Sequence, residues 1–157
     1  MPDYAENNEA GKLAERDLAC WLVDSMGGLP VDMTNDSDFK CQVCHPEFDL
    51  LDGHGRKWEV KRDLYHRKSG NVAVEVQDRG KPTGLSLTQS DWYAFVIDGG
   101  LCAAVLTVQL KRFIAAPGKP PCVWLNRTCG QSGQVWNWLI PFDKLKTLFS
   151  STTIFTI

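Results

Sequence analysis

Pro46-Glu47-Phe48-Asp49-Leu50-Leu51-Asp52-Gly53-His54-Gly55-Arg56-Lys57-Trp58-Glu59-Val60-Lys61 reads as two strands closed on a tight turn. A three-residue loop, Gly53-His54-Gly55, with a glycine in the left-handed position is a common hairpin connection. Closing the chain there sets Asp49 opposite Glu59 and Glu47 opposite Lys61. Side chains alternate along a strand, so Glu59 and Lys61 share one face while Trp58 and Val60 share the other.

Two opposed carboxylates repel when bare. A divalent cation between them removes the conflict, and Mg²⁺ in particular is held by one or two carboxylates plus water and phosphate oxygens. Lys61, on the same face as Glu59, can hold a water or a phosphate oxygen beside such an ion. The parity alone also permits a cross-strand salt-bridge ladder in which Glu47 and Lys61 are partners. Both readings stand at this point.

Outward from the hairpin, Ala10, Leu13, Ala14, Asp17, Leu18, Trp21 and Leu22 keep a three/four spacing, which predicts a helix ended by Gly27-Gly28. Glu15 lies beside the apolar stripe of that helix. Strands are expected near 47–52, 56–62, 71–77, 92–97 and 101–106, with turns at Ser69-Gly70 and Gly99-Gly100. Thr107 is placed to cap a helix through Leu110, Phe113 and Ile114, stopped before Pro117. A Pro- and Gly-rich connection from Pro117 to Gly133 leads to a last strand, Val135 to Ile140, and a short helix, Asp143 to Phe149. This order predicts an α/β fold, a central mixed sheet flanked by helices. One domain is expected over 1–157, its core at about 9–115 and an extension of strand and helix over 116–157.

Residues 1–12 are polar and acidic, unlike the apolar part of an export signal. The longest mostly apolar stretch, Tyr93 to Val108, is broken by Asp98-Gly99-Gly100 and falls short of the roughly 20 residues a membrane helix needs. No membrane partner and a cytoplasmic location, in a bacterial or phage-infected cell, are the expectation. The formal net charge is −2, yet Arg56 to Lys81 holds eight cations against four anions. A polyanion would prefer that window, whose other reading is a solvated charged loop.

Cys20, Cys102 and Cys122 stand singly among apolar residues and are expected in or near the core. Cys41-Gln42-Val43-Cys44-His45 spells a haem-attachment pattern, which requires export and does not fit the expected location. Cys41, Cys44 and His45 also supply part of a zinc site that Cys122 or Cys129 would have to complete. His54 and His66 read as solvent-facing loop residues.

Asp49 followed ten residues on by Glu59-Val60-Lys61, behind a helix carrying Glu15, resembles the PD-(D/E)XK nuclease superfamily, especially its Holliday-junction-resolvase-like and phage-type members. The likeness extends through Gly70-Asn71-Val72-Ala73-Val74-Glu75-Val76-Gln77, Gly80-Lys81-Pro82-Thr83-Gly84-Leu85 and Thr88 to Val96. It covers about residues 9–98, with a weaker echo at Trp138-Leu139-Ile140-Pro141. Glu47, where the pattern has proline, is a departure that touches no chemistry. The resemblance implies a restriction-endonuclease-like core and Mg²⁺ or Mn²⁺ held by Asp49, Glu59 and the Val60 carbonyl. Lys61 would orient or activate the attacking water, and Glu15 would add a metal or water contact. Glu75 would complete the site if its strand lies beside 56–62, the other reading being an ion pair with Lys61 or Arg62.

Lys57, Arg62, His66, Arg67, Lys68, Arg79 and Lys81 are then candidate DNA phosphate contacts. The implied activity is DNA phosphodiester hydrolysis, with junctions or recombination and repair intermediates as substrates. The implied assembly is a homodimer, for which Trp92, Trp124, Trp136 and Trp138 are candidate interface residues. The competing class is a non-catalytic nucleic-acid-binding or zinc-stabilised interaction module on the same fold. The presence of Asp49, Glu59 and Lys61 together speaks against it.

Overall fold

The computed structural model describes residues 4–33, 47–64, 66–128 and 134–157. The first helix, α1 (Tyr4–Ser25), buries Ala14, Leu18 and Leu22 and ends where the Gly28 N–H returns to the Val23 carbonyl at 2.8 Å. Two residues expected on its apolar side face out: Leu13 is 58% exposed and Cys20 is exposed. Cys20 lies two positions beyond Leu18, about 200° around the helix, so burying Leu18 turns Cys20 to solvent.

The strands are β1 (Asp32–Met33), β2 (Leu50–Leu51), β3 (Lys57–Arg62), β4 (Asn71–Asp78), β5 (Lys81–Pro82), β6 (Trp92–Val96), β7 (Leu101–Leu106), β8 (Trp124–Thr128), β9 (Val135–Pro141) and β10 (Thr153–Thr156). Three further helices are α2 (His66–Ser69), α3 (Thr107–Ala115) and α4 (Leu145–Leu148). Six strands form a central sheet in the order β1-β2-β3-β6-β7-β10. It is mixed, as expected: β3 and β6 run parallel, while the neighbours on either side run antiparallel.

One face of this sheet packs Trp58, Val60, Ala94, Val96 and Ala104 against Leu18 and Leu22 of α1. Leu18 is wholly buried, so Leu18→Ala should cost about 2–5 kcal/mol. The other face carries Tyr93, Phe95, Ala103 and Val105 into a second core with Leu110 of α3 and Leu145 of α4. Val72, Val74 and Ile140 close that core from a second, four-stranded sheet ordered β5-β4-β9-β8. Both faces of β3 are therefore covered, which is why Trp58, Glu59 and Val60 are all buried.

Several expectations need correction. The strand foreseen at 47–52 is confined to Leu50–Leu51, and the strand at 71–78 belongs to the second sheet rather than lying beside β3. Thr107 opens α3 without capping it, because its hydroxyl is engaged by Ser90 at 2.8 Å. The proline-rich connection holds β8, and the chain ends on β10, which pairs with β7. Among the described residues no helix is long and apolar enough to cross a membrane.

Candidate functional site

The hairpin closes in the register that its loop dictates. Leu50 pairs with Trp58 and Leu51 with Lys57, and the Asp52 N–H reaches the Arg56 carbonyl at 2.9 Å around Gly53-His54-Gly55. Gly55 takes φ 76°, the left-handed conformation in which an L side chain is strained. Asp52 fastens the turn: its carboxylate accepts from the N–H groups of His54 and Arg56, from Arg56 Nε at 2.7 Å and from Trp58 Nε1 at 2.9 Å. Burial alone would raise the Asp52 pKa, but donation from Trp58, Arg56 and His54 outweighs it and holds the group below the ordinary carboxylate value.

The ladder stops one residue earlier in the chain. Asp49 gives its N–H to the Trp58 carbonyl at 2.8 Å, and its Oδ2 accepts the Val60 N–H at 2.7 Å. The carboxylate is thus fixed to the backbone link between Glu59 and Lys61. Glu59, only 7% exposed, meets Lys61 Nζ at 2.6 Å. Its other oxygen accepts from Thr88 Oγ1 at 3.1 Å. Glu47 is not the partner of Lys61; its carbonyl accepts from Thr88 Oγ1 and from the Gln89 N–H.

Tyr93, opposite Glu59 in the parallel register, was not foreseen as a site residue. Its side chain is wholly buried, and its hydroxyl has no hydrogen-bond partner among the described residues. Burial raises the Tyr93 pKa; Lys61 pulls it down, and Glu59, Glu75 and Asp49 push it up again, so the phenol stays protonated far above neutrality. Burial also works against the charge of Lys61. The negative charges of Glu59, which also accepts a hydrogen bond from Lys61, and of Asp49 outweigh it, and the ammonium is held above its ordinary value.

Asp49, Glu59, Lys61 and Glu75 thus all lie within electrostatic reach of Tyr93, and Asp49 and Glu59 also within reach of Lys61. Glu75 arrives from β4 of the second sheet, not from a strand beside β3, and pairs with neither Lys61 nor Arg62, whose carboxylate partners are Glu59 and Asp98. The chain passes close over Glu75: a Cβ on Gly84 would stand 2.5 Å from the Glu75 carbonyl oxygen. Glu15 is half-buried on α1, the helix covering the opposite, Trp58–Val60 face of β3.

The negative excess and the oxygen-only donors suit a hard cation. Among the described residues no three His, Cys, Asp or Glu side chains form a ligand group by themselves. An ion here would rest on Asp49 and Glu59 with the Val60 carbonyl and water, a division of ligands that suits Mg²⁺. Cys41, Cys44, His45 and Cys129 lie outside the described residues. Cys102 is a core thiol, pushed up to about 12 by burial, and Cys122 packs half-buried against the second core.

The expected phosphate contacts divide into two groups. Arg62 donates to the Ile97 carbonyl and to Asp98, and Arg67 holds the same Asp98 at 2.6 Å. Arg79 lies 3.5 Å from Asp78, and Lys57 Nζ sits over the Phe48 ring. Lys68 and Lys81 are exposed and have no ion pair among the described residues. His66 is not a free surface group but packs edge-on against Phe142. Lys111, another cation the sequence did not single out, donates to the Thr88 carbonyl at 2.6 Å. Of the four candidate interface tryptophans, Trp92 stacks on Trp58, Trp138 packs on the second core and Trp136 is half-buried, leaving Trp124 as the exposed one at 45%.

Comparison with known proteins finds no family model that matches the chain and no curated relative.

Proposed function

We propose that this chain is a metal-dependent nuclease that hydrolyses DNA phosphodiester bonds at the recess formed by Asp49, Glu59 and Lys61. The observation that carries the reading is the Asp49 carboxylate seated on the Val60 N–H at 2.7 Å, next in the chain to a Glu59 carboxylate that meets the Lys61 ammonium at 2.6 Å. The mixed sheet behind α1 agrees with the restriction-endonuclease-like core that the motif implies.

Asp49 and Glu59, with the Val60 carbonyl, would hold Mg²⁺ or Mn²⁺. When bound, such an ion polarises a phosphoryl oxygen and lowers the pKa of a coordinated water. Thr88 fixes the Glu59 carboxylate from the side away from Lys61, which keeps its rotamer ready for a ligand. Lys61 stays protonated, so its role is donation: it holds a water or a phosphate oxygen and stabilises the charge that grows on the phosphate. Lys68, Lys81 and Lys111 contribute attraction for the backbone of the nucleic acid. Branched junctions and recombination or repair intermediates, cut by a homodimer, are the substrates and assembly to try first.

The test is nicking of supercoiled plasmid in Mg²⁺ or Mn²⁺, with chelator and with Lys61→Ala as controls. Cleavage that needs the metal and is lost in Lys61→Ala supports the proposal. Binding without cleavage in either metal replaces it with the non-catalytic binding module.

A further inference from the structure

Buried hydroxyls in folded proteins nearly always have a partner, and one that lacks a protein partner points to an ordered water or an ion. Among the described residues two buried side-chain atoms are in this position, Tyr93 Oη and Thr83 Oγ1. They come from separate parts of the chain, β6 and the turn that follows β5. The Tyr93 phenol lies in the field of Glu75, Glu59, Asp49 and Lys61. Thr83 precedes Gly84, whose backbone presses on the Glu75 carbonyl. An aromatic hydroxyl on an inner strand, beside a buried glutamate in register, would serve packing better as phenylalanine unless its oxygen had a ligand.

We propose that Tyr93 is a positioning residue of the site, its hydroxyl holding a water that belongs to the hydration shell of a divalent cation on Asp49 and Glu59. This rests on the nuclease reading only for the identity of the cation site, not for its activity. Tyr93 has no surface open to solvent, so it cannot meet a DNA phosphate directly, and only a ligand as small as water could reach its oxygen. Protonated, the phenol donates to the water oxygen or accepts from it, whichever the carboxylates leave open. Glu75, with no ion pair among the described residues, acts on the same phenol and would take a second hydrogen of that shell. A cation that keeps several of its waters is the kind that such outer groups recognise, and Mg²⁺ is the common example.

Tyr93→Phe removes one oxygen and keeps the ring. Mn²⁺ binding to the parent, Tyr93→Phe and Asp49→Asn is followed by the loss of the free-ion electron paramagnetic resonance signal, and melting is recorded without metal. The expected result is that Tyr93→Phe melts no lower than the parent but binds Mn²⁺ about tenfold more weakly, the size of effect that outer-shell partners of metals have. In plasmid cleavage, Tyr93→Phe should need a correspondingly higher Mg²⁺ concentration and recover at saturation, which a packing defect would not produce. Tyr93→Phe binding Mn²⁺ as tightly as the parent, while Asp49→Asn does not, overturns the role of Tyr93 and leaves the site standing. No Mn²⁺ bound by the parent overturns both. Weakened binding in Tyr93→Phe with no cleavage by any form sustains the water-holding role and removes the nuclease reading instead.

Discussion

Asp49 and Asp52 leave the same arm of one hairpin and enter opposite environments. Asp52 has a side chain with no exposure and four N–H donors directed at it, from His54, Arg56 and Trp58. Asp49 is half-buried and acts, with Glu59, Glu75 and Lys61, on a Tyr93 hydroxyl that has no partner among the described residues. A carboxylate whose acceptor positions are filled contributes to the fold; one held in an under-neutralised cluster is costly until something positive joins it. The comparison sets Asp52 with the fold and, under the proposed function, Asp49 with the ligand, although both are acidic residues on the same arm of the hairpin.

The largest expected effect lies on the Asp49 side. Asp49→Asn, Glu59→Gln and Lys61→Ala should each lower cleavage by on the order of a hundredfold or more. Asp49→Asn should melt no lower than the parent, because its amide oxygen can still accept the Val60 N–H while repulsion is relieved, whereas Glu59→Gln also breaks the Lys61 pair and should melt lower. Asp52→Ala should do the reverse of Asp49→Asn. It strips the partner from a buried indole N–H and from the Arg56 guanidinium, and should cost about 3 kcal/mol, read from chemical denaturation. Cleavage measured below its lowered melting temperature should stay near the parent value. If Asp52→Ala abolished cleavage while leaving the melting temperature intact, the division between the two aspartates would be wrong.

Acid sharpens the same contrast. The Asp52 pKa is lower folded than unfolded, so its contribution to stability is complete above the unfolded value of about 3.9 and disappears as pH falls through the folded value. The difference in melting temperature between parent and Asp52→Asn should therefore be constant at neutral pH and shrink below about pH 4. A difference that grew on acidification would contradict the assigned direction.

The hairpin was legible because its loop length, a glycine and strand parity fix register locally, and Leu50 does meet Trp58 as that register requires. The helix α1 was legible from spacing and from its terminal glycines, although spacing alone placed Leu13 on the wrong side. Sheet membership was not legible. The period of Asn71–Asp78 says strand but names no partner, and that strand pairs with β9, far along the chain. The short β10 and the polar β8 carry too few apolar residues to announce themselves, and they form through pairing with β7 and β9. Tyr93 escaped for a related reason: in Trp92-Tyr93-Ala94-Phe95 it reads as one more core aromatic. Only the parallel pairing of β3 with β6 sets Tyr93 opposite Glu59.

Charge counting failed in a way that yields the smallest but most discriminating prediction. The cation-rich window suggested a uniform phosphate-binding face, whereas Arg62 and Arg67 converge on Asp98 and only part of the window is uncommitted. An arginine already paired must give up that partner before it gains a phosphate, so its net contribution to DNA affinity is small. Exposed Lys68 and Lys81 have no such partner among the described residues. Lys68→Ala and Lys81→Ala should each weaken binding evenly across DNA sequences and reduce the slope of log affinity against log salt by about 1. Arg62→Ala should leave that slope nearly unchanged and lower the melting temperature instead, since its guanidinium also holds the Ile97 carbonyl at the end of β6. Titration of one duplex at several salt concentrations, with melting curves for the same proteins, separates the two groups. A slope that falls equally for Arg62→Ala and Lys81→Ala would mean that the Asp98 pair opens on DNA and that pairing in the free protein does not mark a cation as structural.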